Sequence, residues 1–476
     1  MSLHFDPGKL DQFKSQIRTI PGYPAGEDLP IQEMVFESGA LWRLSRLLIS
    51  AGISLDQPLL VVMDSTLMLR EGKSLKNLIL EILDGVGWQV DVIWLEPDDT
   101  GQVHTDFSQI NYVKTRLKKN SAVLSVGSGT VTDIAKHACY VYQQEQNIRP
   151  LTFVVYQTAN SVSAYTSNMA PTFINGVKRT LPSRNPDLLI CDLETLRDAP
   201  YSMTVAGVGD LLAAFSSYAD WWLAYHLGLD KSYTEFAQIL MGPLDEVFLE
   251  HAEGLQKGRL ESTAILAKLI ALGGLAMSLS HATAPLSGFE HVISHVLDLI
   301  AEQKRQPLAQ HGTQVALTTI LTTSAYQILI KEFKPAKIDL ENCYPTEAEM
   351  KARIDATFQP LDSAGHIAAE CWADYKIKLD AWHAHRIEFE DALHDWPNTR
   401  NKLNTLVKPP DRVSQILHTI GSPFHFDELT PAPTEIDVQF AFRNAPFIRQ
   451  RFTLGDLFLF LNWNQETLWA QVNNKS

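Results

Sequence analysis

The feature that most constrains the fold is a change in hydrophobic pattern near residue 200. Before it, short apolar runs alternate with helical patterns, which is typical of a parallel sheet with crossover helices. Beyond about residue 203, long amphipathic stretches replace them and indicate helices. We therefore predict a Rossmann-like α/β domain over residues 1–199 and an all-α helical domain over residues 200–476. The predicted strands are 58–64, 88–95, 121–127, 152–158 and 187–192, with helices ending near Leu83 and spanning about 106–118.

Composition excludes several classes of protein. The chain carries a net charge of −15 without a cluster of Lys and Arg, which argues against nucleic acid or an anionic membrane as partner. The apolar stretch 264–279 includes Lys268 and two glycines, so we predict a buried core helix rather than a membrane span. The four cysteines form no CxxC pair, which argues against disulfides or a cysteine zinc site. With no secretory signal at the N-terminus, we expect a cytoplasmic protein.

A glycine-rich turn lies at residues 125–133, between a predicted strand and a predicted helix. Gly127 and Gly129 allow a tight turn, and the N–H groups at a helix N-terminus favour an anion. Together with Ser128 and Thr130, they form a candidate site for a nucleotide pyrophosphate. The motif is not a full GxGxxG, so a simple strand-to-helix turn remains the alternative.

Two acidic residues each follow a predicted strand. Asp64 follows PLLVVM and Glu96 follows VIWL. In a dinucleotide-binding sheet, an acidic residue in such a place binds the ribose hydroxyls. Either residue could equally be an ordinary turn residue.

Three helices of the C-terminal half offer metal ligands. Asp210 lies in AGVGD, immediately before a predicted helical run, and His311 begins another apolar helix. His291 and His295 are spaced i, i+4, so their imidazoles share one helix face. One carboxylate and two imidazoles suit a divalent cation with an open coordination position. The alternatives are an N-cap role for Asp210 and ordinary helix or capping roles for the histidines.

Several segments, taken in order, resemble a known family. They are GSGTVTDIAK, QTANSVSAYTS, GVKRT, AGVGDLL, SGFEHVISH and HG, with the later segments ECWADY and RQRFTLGDLF. In these segments the chain is similar to the metal-dependent polyol dehydrogenases, above all to the bacterial sn-glycerol-1-phosphate dehydrogenases. These are relatives of glycerol dehydrogenase and 3-dehydroquinate synthase in the iron-containing alcohol dehydrogenase superfamily. The resemblance implies a dehydroquinate synthase-like fold with the active site in the cleft between its two domains.

The resemblance also implies roles for individual residues. It implies a small-molecule substrate, NAD or NADP, one divalent metal (zinc first, nickel or iron as alternatives) and a homodimer or larger homo-oligomer. The implied metal ligands are Asp210, His291 and His311. The implied catalytic residues are His295, facing substrate, and Lys178, at the substrate or cofactor end of the cleft. The implied cofactor contacts are Gly127, Ser128, Gly129, Thr130 and Asp133 at the pyrophosphate, and Thr158 and Ser161 beside the nicotinamide.

The chain departs from the family pattern at two positions. Ser163 stands where relatives usually carry an aspartate near the substrate hydroxyls, and Ala284 stands where they tend to carry an arginine. A fixed charge is therefore lost at each of two places while the metal ligands are kept. This combination favours an altered choice of substrate over lost chemistry.

The resemblance implies an NAD(P)-linked, metal-dependent oxidoreductase that interconverts a small polyol phosphate and its ketone. The first candidates are sn-glycerol 1-phosphate and glycerone phosphate, which would place the enzyme in phospholipid metabolism. His295, or a water that it orients, would move the hydroxyl proton, because an imidazole pKa lies near working pH. The alternatives are a dehydroquinate synthase-like cyclase that recycles NAD, and a catalytically inactive nucleotide-binding relative.

Overall fold

The computed structural model describes residues 3–473. Its strands are β1 (Glu33–Glu37), β2 (Leu59–Asp64), β3 (Leu69–Arg70), β4 (Lys73–Ser74), β5 (Val90–Leu95), β6 (Ala122–Gly127), β7 (Phe153–Gln157), β8 (Met169–Ile174), β9 (Val177–Pro182) and β10 (Leu188–Asp192). Its first helices are α1 (Leu10–Ile17), α2 (Leu44–Ser50), α3 (Leu75–Val86), α4 (Phe107–Arg116), α5 (Gly129–Gln146) and α6 (Leu193–Asp198).

The second half of the chain is helical, and every strand in residues 3–473 lies before residue 193. The helices are α7 (Tyr201–Leu212), α8 (Ala214–His226), α9 (Phe236–Met241), α10 (Leu244–Gln256), α11 (Leu260–Leu279), α12 (Phe289–Gln303), α13 (His311–Glu332), α14 (Glu347–Phe358), α15 (His366–Ala384), α16 (Arg386–His394), α17 (Trp396–Leu406), α18 (Pro410–Ile420), α19 (Glu435–Asn444), α20 (Leu454–Phe460) and α21 (Gln465–Asn473). The predicted α/β class with a helical C-terminal part is confirmed.

The main sheet has six parallel strands in the order β1-β10-β7-β6-β2-β5. Its central strands are buried along their whole length, which explains their continuous apolar runs. The chain runs from β2 outward to β5 and then returns across the sheet to β6. The reversal therefore lies between β2 and β6, and the crevice at their carboxyl ends is where open α/β sheets bind ligands.

Three local predictions were wrong or incomplete. The sequence pattern did not predict β1, because EMVFE is short and has an acidic residue at each end. Residues between β2 and α3 form the β3–β4 hairpin, so that helix begins at Leu75 rather than directly after the strand. The antiparallel β8–β9 hairpin was also missed, although it carries Lys178.

The long apolar helix α11 lies inside the protein. In the described part of the chain it alone is long and apolar enough to cross a membrane, but 83% of that window is buried. The N-terminal segment also packs on the helical half, through the ion pair of Asp6 with Lys268 (2.8 Å) and the hydrogen bond between Glu27 and His281 (2.8 Å). The predicted division at residues 199 and 200 lies between α6 and α7 and stays a prediction.

Helices α7 and α13 touch through their backbones. A Cβ added to Gly209 would strike the carbonyl of Gly312, and one added to Gly312 would strike the carbonyl of Ala206. Glycine allows this approach because it has no side chain between the two backbones. The contact brings together the residues next to the two glycines, Asp210 and His311.

We predict that Gly312→Ala destabilises the protein by about 1–3 kcal/mol, because the added methyl group overpacks a backbone contact. The matched control is Gly85→Ala on α3, where an added Cβ meets nothing within 4 Å. That control is expected to be neutral, or stabilising by about 0.5–1 kcal/mol. Urea denaturation measures both variants, and a Gly312→Ala protein as stable as the control would contradict the prediction.

Candidate active site

Three candidate ligands converge where α7, α12 and α13 meet. The Oδ1 atom of Asp210 lies 3.6 Å from Nε2 of His291 and 3.9 Å from Nε2 of His311. One ligand atom from each residue lies within 4.8 Å of the others. His291 is in the first turn of α12 and His311 begins α13, as the sequence suggests. Asp210, however, lies near the C-terminal end of α7 rather than before a helix, so its expected N-cap alternative is wrong.

His291 is oriented by Glu290, which the sequence reasoning missed. The Glu290 carboxylate is fully buried and lies 3.2 Å from Nδ1 of His291. It also accepts hydrogen bonds from the Ser216 hydroxyl (2.7 Å) and the Gly288 amide (2.5 Å). Burial raises the pKa of Glu290, but the hydrogen bond and charge of His291 and the hydrogen bonds from Ser216 and Gly288 together lower it below its usual value. An ionised Glu290 accepts the Nδ1 proton of His291, which leaves Nε2 free to bind a metal.

Ser163 holds the other oxygen of Asp210. Its backbone amide and its hydroxyl donate to Oδ2 at 2.9 and 3.0 Å. Burial raises the pKa of Asp210, but its interactions with His291 and His311 and the Ser163 hydrogen bonds lower it below the usual value. Asp210 therefore presents Oδ1 to the histidines as an ionised ligand. Ser163, where the resemblance implies an aspartate, therefore supplies hydrogen-bond donors to a candidate ligand.

The hydrogen bonding of His295 differs from what a residue that takes up and releases the hydroxyl proton would need. Arg449 donates a hydrogen bond of 2.8 Å to its Nδ1 atom. Because arginine cannot accept a hydrogen bond, His295 is neutral and carries its proton on Nε2. Burial and then Arg449 lower the pKa of His295 well below its usual value, in agreement with a neutral imidazole. Arg449 lies in the late RQRFTLGDLF segment, and no local pattern points to its contact with His295.

Lys178 reaches the cleft from the β8–β9 hairpin. Its ammonium group forms an ion pair of 3.1 Å with Asp298, a buried residue of α12. Asp298 also accepts a hydrogen bond of 3.0 Å from Gln314. Lys178 is therefore held in place by an ion pair and still faces the cleft.

Two connected cavities meet at the candidate ligands. A cleft of about 830 Å³ contains the three ligands and His295. A crevice of about 1320 Å³ follows the carboxyl ends of the sheet strands from Asp64 to Ser128. The residues that line both cavities are Thr105, Thr130, Lys178 and His311.

The two candidate ribose ligands differ in position. Asp64 lines the crevice, where it is paired with the buried Lys76 and accepts a hydrogen bond of 2.6 Å from Thr66. Glu96 is exposed at the end of the edge strand β5. Asp64 is therefore the better placed of the two at the sheet reversal.

The glycines of the turn make room for the protein's own side chains. A Cβ on Gly127 would strike Val131, and one on Gly129 would strike Val162. Any preference for an anion here comes instead from the start of α5, where Ser128 makes no side-chain cap to the first N–H groups.

Three further residues are implied as cofactor contacts. Asp133 lines the metal cleft together with Gly129 and Thr130, and its carboxylate pairs with the buried Lys136 at 2.7 Å. Thr158 is buried, with its amide donating to the Gly127 carbonyl (3.2 Å). Ser161 is buried against the Tyr165 hydroxyl (3.1 Å). The structure does not bring the last two side chains to the cleft surface.

Comparisons with known proteins identify the family of the chain. Residues 35–200 match the family described as iron-containing alcohol dehydrogenase. A Bacillus subtilis protein named glycerol-1-phosphate dehydrogenase, NAD(P)+, is 30% identical over 298 residues, covering 61% of this chain and 73% of that protein. The chain therefore belongs to the glycerol-1-phosphate dehydrogenase branch of the iron-containing alcohol dehydrogenase family.

Other relatives support the family. The Geobacillus stearothermophilus protein of the same name is 28% identical over 70% of this chain and 77% of its own length. Among solved structures, alcohol dehydrogenase from Oenococcus oeni has a TM-score of 0.57 at 14% identity, covering 95% of this chain and 100% of its own. A 1,3-propanediol oxidoreductase has a TM-score of 0.56 at 15% identity, with coverage of 96% and 100%. At these identities the structural likeness shows the fold alone.

We predict that Ser163→Asp makes the metal-free protein lose stability as pH rises. The new carboxylate would lie against Oδ2 of Asp210, and two adjacent carboxylates raise the pKa of the pair above that of the unfolded chain. A raised carboxyl pKa leaves stability intact below about pH 4 and removes about 1.4 kcal/mol per pKa unit as pH rises above it. Thermal unfolding at several pH values measures the effect.

The control for this experiment is Ser163→Asn, which has nearly the same shape and no charge. A divalent metal should restore the stability of the aspartate variant by offsetting the repulsion. Parallel pH profiles for the two variants would show that residue 163 does not interact with Asp210 as described.

Proposed function

We propose that this protein is a metal-dependent NAD(P)-linked oxidoreductase that interconverts a small polyol phosphate and its ketone. The first candidate pair is sn-glycerol 1-phosphate and glycerone phosphate. The observation that carries the proposal is the meeting of Asp210, His291 and His311 where the metal cleft joins the crevice of the sheet. The names of the relatives support the substrate class. Cytoplasmic location and homo-oligomeric state stay predictions from the sequence.

The donor set fits a divalent metal of borderline character, such as zinc, nickel or iron. One ionised carboxylate and two imidazoles are typical ligands for such ions, and three protein ligands leave a position open. Glu290 supports the fit because it holds His291 in the tautomer that binds metal through Nε2. Such an ion would polarise the substrate oxygen and stabilise alkoxide character.

The chain's own groups bind and orient the reactants. His295 lines the cleft, and its Nε2 proton would donate a hydrogen bond to the substrate oxygen. Lys178 lies where both cavities meet and would offset negative charge on the substrate or the cofactor. The start of α5 would bind the pyrophosphate, and Asp64 the ribose hydroxyls. A nicotinamide at the junction would supply or accept the hydride.

We predict that His311→Ala loses bound metal together with dehydrogenase activity. Removing one of three protein ligands should lower metal affinity by a factor on the order of 100 or more, since lost supporting contacts alone cost 10–100-fold. Elemental analysis of the purified protein and a panel of polyols and polyol phosphates at the nicotinamide absorbance provide the two readouts. The matched control is His418→Ala, an exposed histidine of α18.

Full metal occupancy in His311→Ala would overturn the ligand assignment. Stoichiometric metal in the wild type without reduction of NAD(P)+ by any polyol would overturn the proposed reaction. The two results are independent, so each part of the proposal can fail alone.

We predict that Asp64→Asn shifts the cofactor preference toward NADP+. Loss of the charged acceptor weakens the ribose hydrogen bonds of NAD+ and removes repulsion of a 2′-phosphate. The ratio of KM for NAD+ to KM for NADP+ should rise about tenfold. The asparagine side chain keeps a carbonyl oxygen that can accept a hydrogen bond from Lys76. The control variant is Glu96→Gln. A shift in the control but not in Asp64→Asn would assign the ribose contact to Glu96 instead.

A further inference from the structure

A second chamber lies beside the metal cleft. Thr180 and Thr283 line both cavities, and the chamber has a volume of about 1430 Å³ including its mouth. It is bounded by the β8–β9 hairpin, α15 and residues 449–452. Its charged lining residues are Arg179, Lys378, Arg449 and Arg451, with Asp230, Glu370 and Asp374.

Two of the four cations are already neutralised. Arg179 pairs with both Glu370 (3.0 Å) and Asp374 (2.5 Å). Lys378 pairs with the buried Asp456 at 2.6 Å. These pairs use two of the three acidic residues that line the chamber, and they hold its wall in place.

Arg449 and Arg451 have neutral partners instead. Arg449 donates to His295, and Arg451 donates to the hydroxyls of Thr283 (3.2 Å) and Ser287 (3.1 Å). Among the described residues, neither guanidinium forms an ion pair with a carboxylate, and the Nε atom of each is buried without a hydrogen-bond partner. The third acidic residue of the lining, Asp230, accepts hydrogen bonds from Ser232.

A buried guanidinium without an anion is energetically costly. Arg449 is only 8% exposed, and burial together with the neighbouring Arg451 and Arg179 lowers its pKa to about 9. An anion with several oxygen atoms would offset this repulsion and fill the open donors. The planar fork of arginine matches the geometry of a phosphate group.

Arg451 also bears on the departure at residue 284. The resemblance implies an arginine there, so Ala284 was expected to leave that place without a cation. The structure places the Arg451 guanidinium on Thr283 and Ser287, on either side of Ala284. The cation is therefore present but comes from the C-terminal part of the chain, and it faces the second chamber.

We propose that the second chamber binds a phosphate-bearing ligand through Arg449 and Arg451. The phosphate has two possible sources. One source is the distal phosphate of a substrate that is longer than a triose phosphate and has its reactive carbon in the metal cleft. This first source rests on the proposed function. The other source is a separate phosphate-bearing effector, which is independent of the proposed function.

The test measures binding of inorganic phosphate by titration calorimetry. Wild type is compared with Arg451→Met, which keeps much of the side-chain volume without charge, and with Arg451→Lys, which keeps charge without the fork. We expect at least tenfold weaker binding in the methionine variant and an intermediate loss in the lysine variant. Arg443→Met is the matched control, because Arg443 also has an unpaired Nε but pairs with Glu466. The His311→Ala variant should bind phosphate like the wild type, which separates this site from phosphate on a metal.

Equal phosphate affinity in wild type and Arg451→Met would overturn the proposal, as would no binding by the wild type. If Arg451→Met does not fold, hydrogen exchange of the wild type replaces it. Phosphate should slow exchange in residues 449–452, and unchanged exchange there would also overturn the proposal.

Kinetics distinguish the two sources. Competitive inhibition by phosphate, with a raised KM for phosphorylated but not for neutral polyols in Arg451→Lys, identifies a distal substrate phosphate. Inhibition or activation that is independent of substrate concentration identifies an effector. Absence of any dehydrogenase activity would defeat the proposed function but would leave the binding result intact.

Discussion

The candidate metal site depends on the backbone contact between α7 and α13. Gly209 and Gly312 allow the two helices to approach closely. The carbonyl of Gly312 lies where a side chain of residue 209 would be, and the carbonyl of Ala206 lies where a side chain of residue 312 would be. Gly207, two residues earlier on α7, makes the same kind of approach to the carbonyl of Asn160, just after β7. Helix α7 is therefore fixed against both the sheet and the helical half, and Asp210 is placed with the precision of backbone packing.

A second constraint is the burial of polar groups along α12. Glu290, His291, His295 and Asp298 are all buried on this one helix. Each is satisfied by a group from another part of the chain, because a buried polar group without a partner is costly. The partners are Ser216 on α8, Asp210 on α7, Arg449 near the C-terminus and Lys178 on β9. The site therefore forms only when these distant segments have packed on α12.

These constraints explain how far the sequence could predict the molecule. Local periodicity can be read directly from the sequence. It predicts the parallel strands, the turn after β6 and the shared helix face of His291 and His295. Local periodicity does not predict the helix around Asp210. The two glycines in AGVGD indicate a turn locally, whereas backbone packing makes them part of α7. Glu290 and Arg449 were missed for a different reason. Their roles arise from contacts in space, and no residue spacing encodes them.

The two departures that the resemblance implies have different effects on the charge around the cleft. With Ser163 in place of an aspartate, Asp210 is the one carboxylate among the three candidate ligands, and both its Oδ2 contacts come from neutral donors. Arg451 keeps a cation beside Ala284, whereas the charge of Lys178 is offset by its ion pair with Asp298. The loss of a cation that Ala284 implied is therefore compensated by a distant segment of the chain. The substitution at residue 284 moves the source of the positive charge rather than removing it.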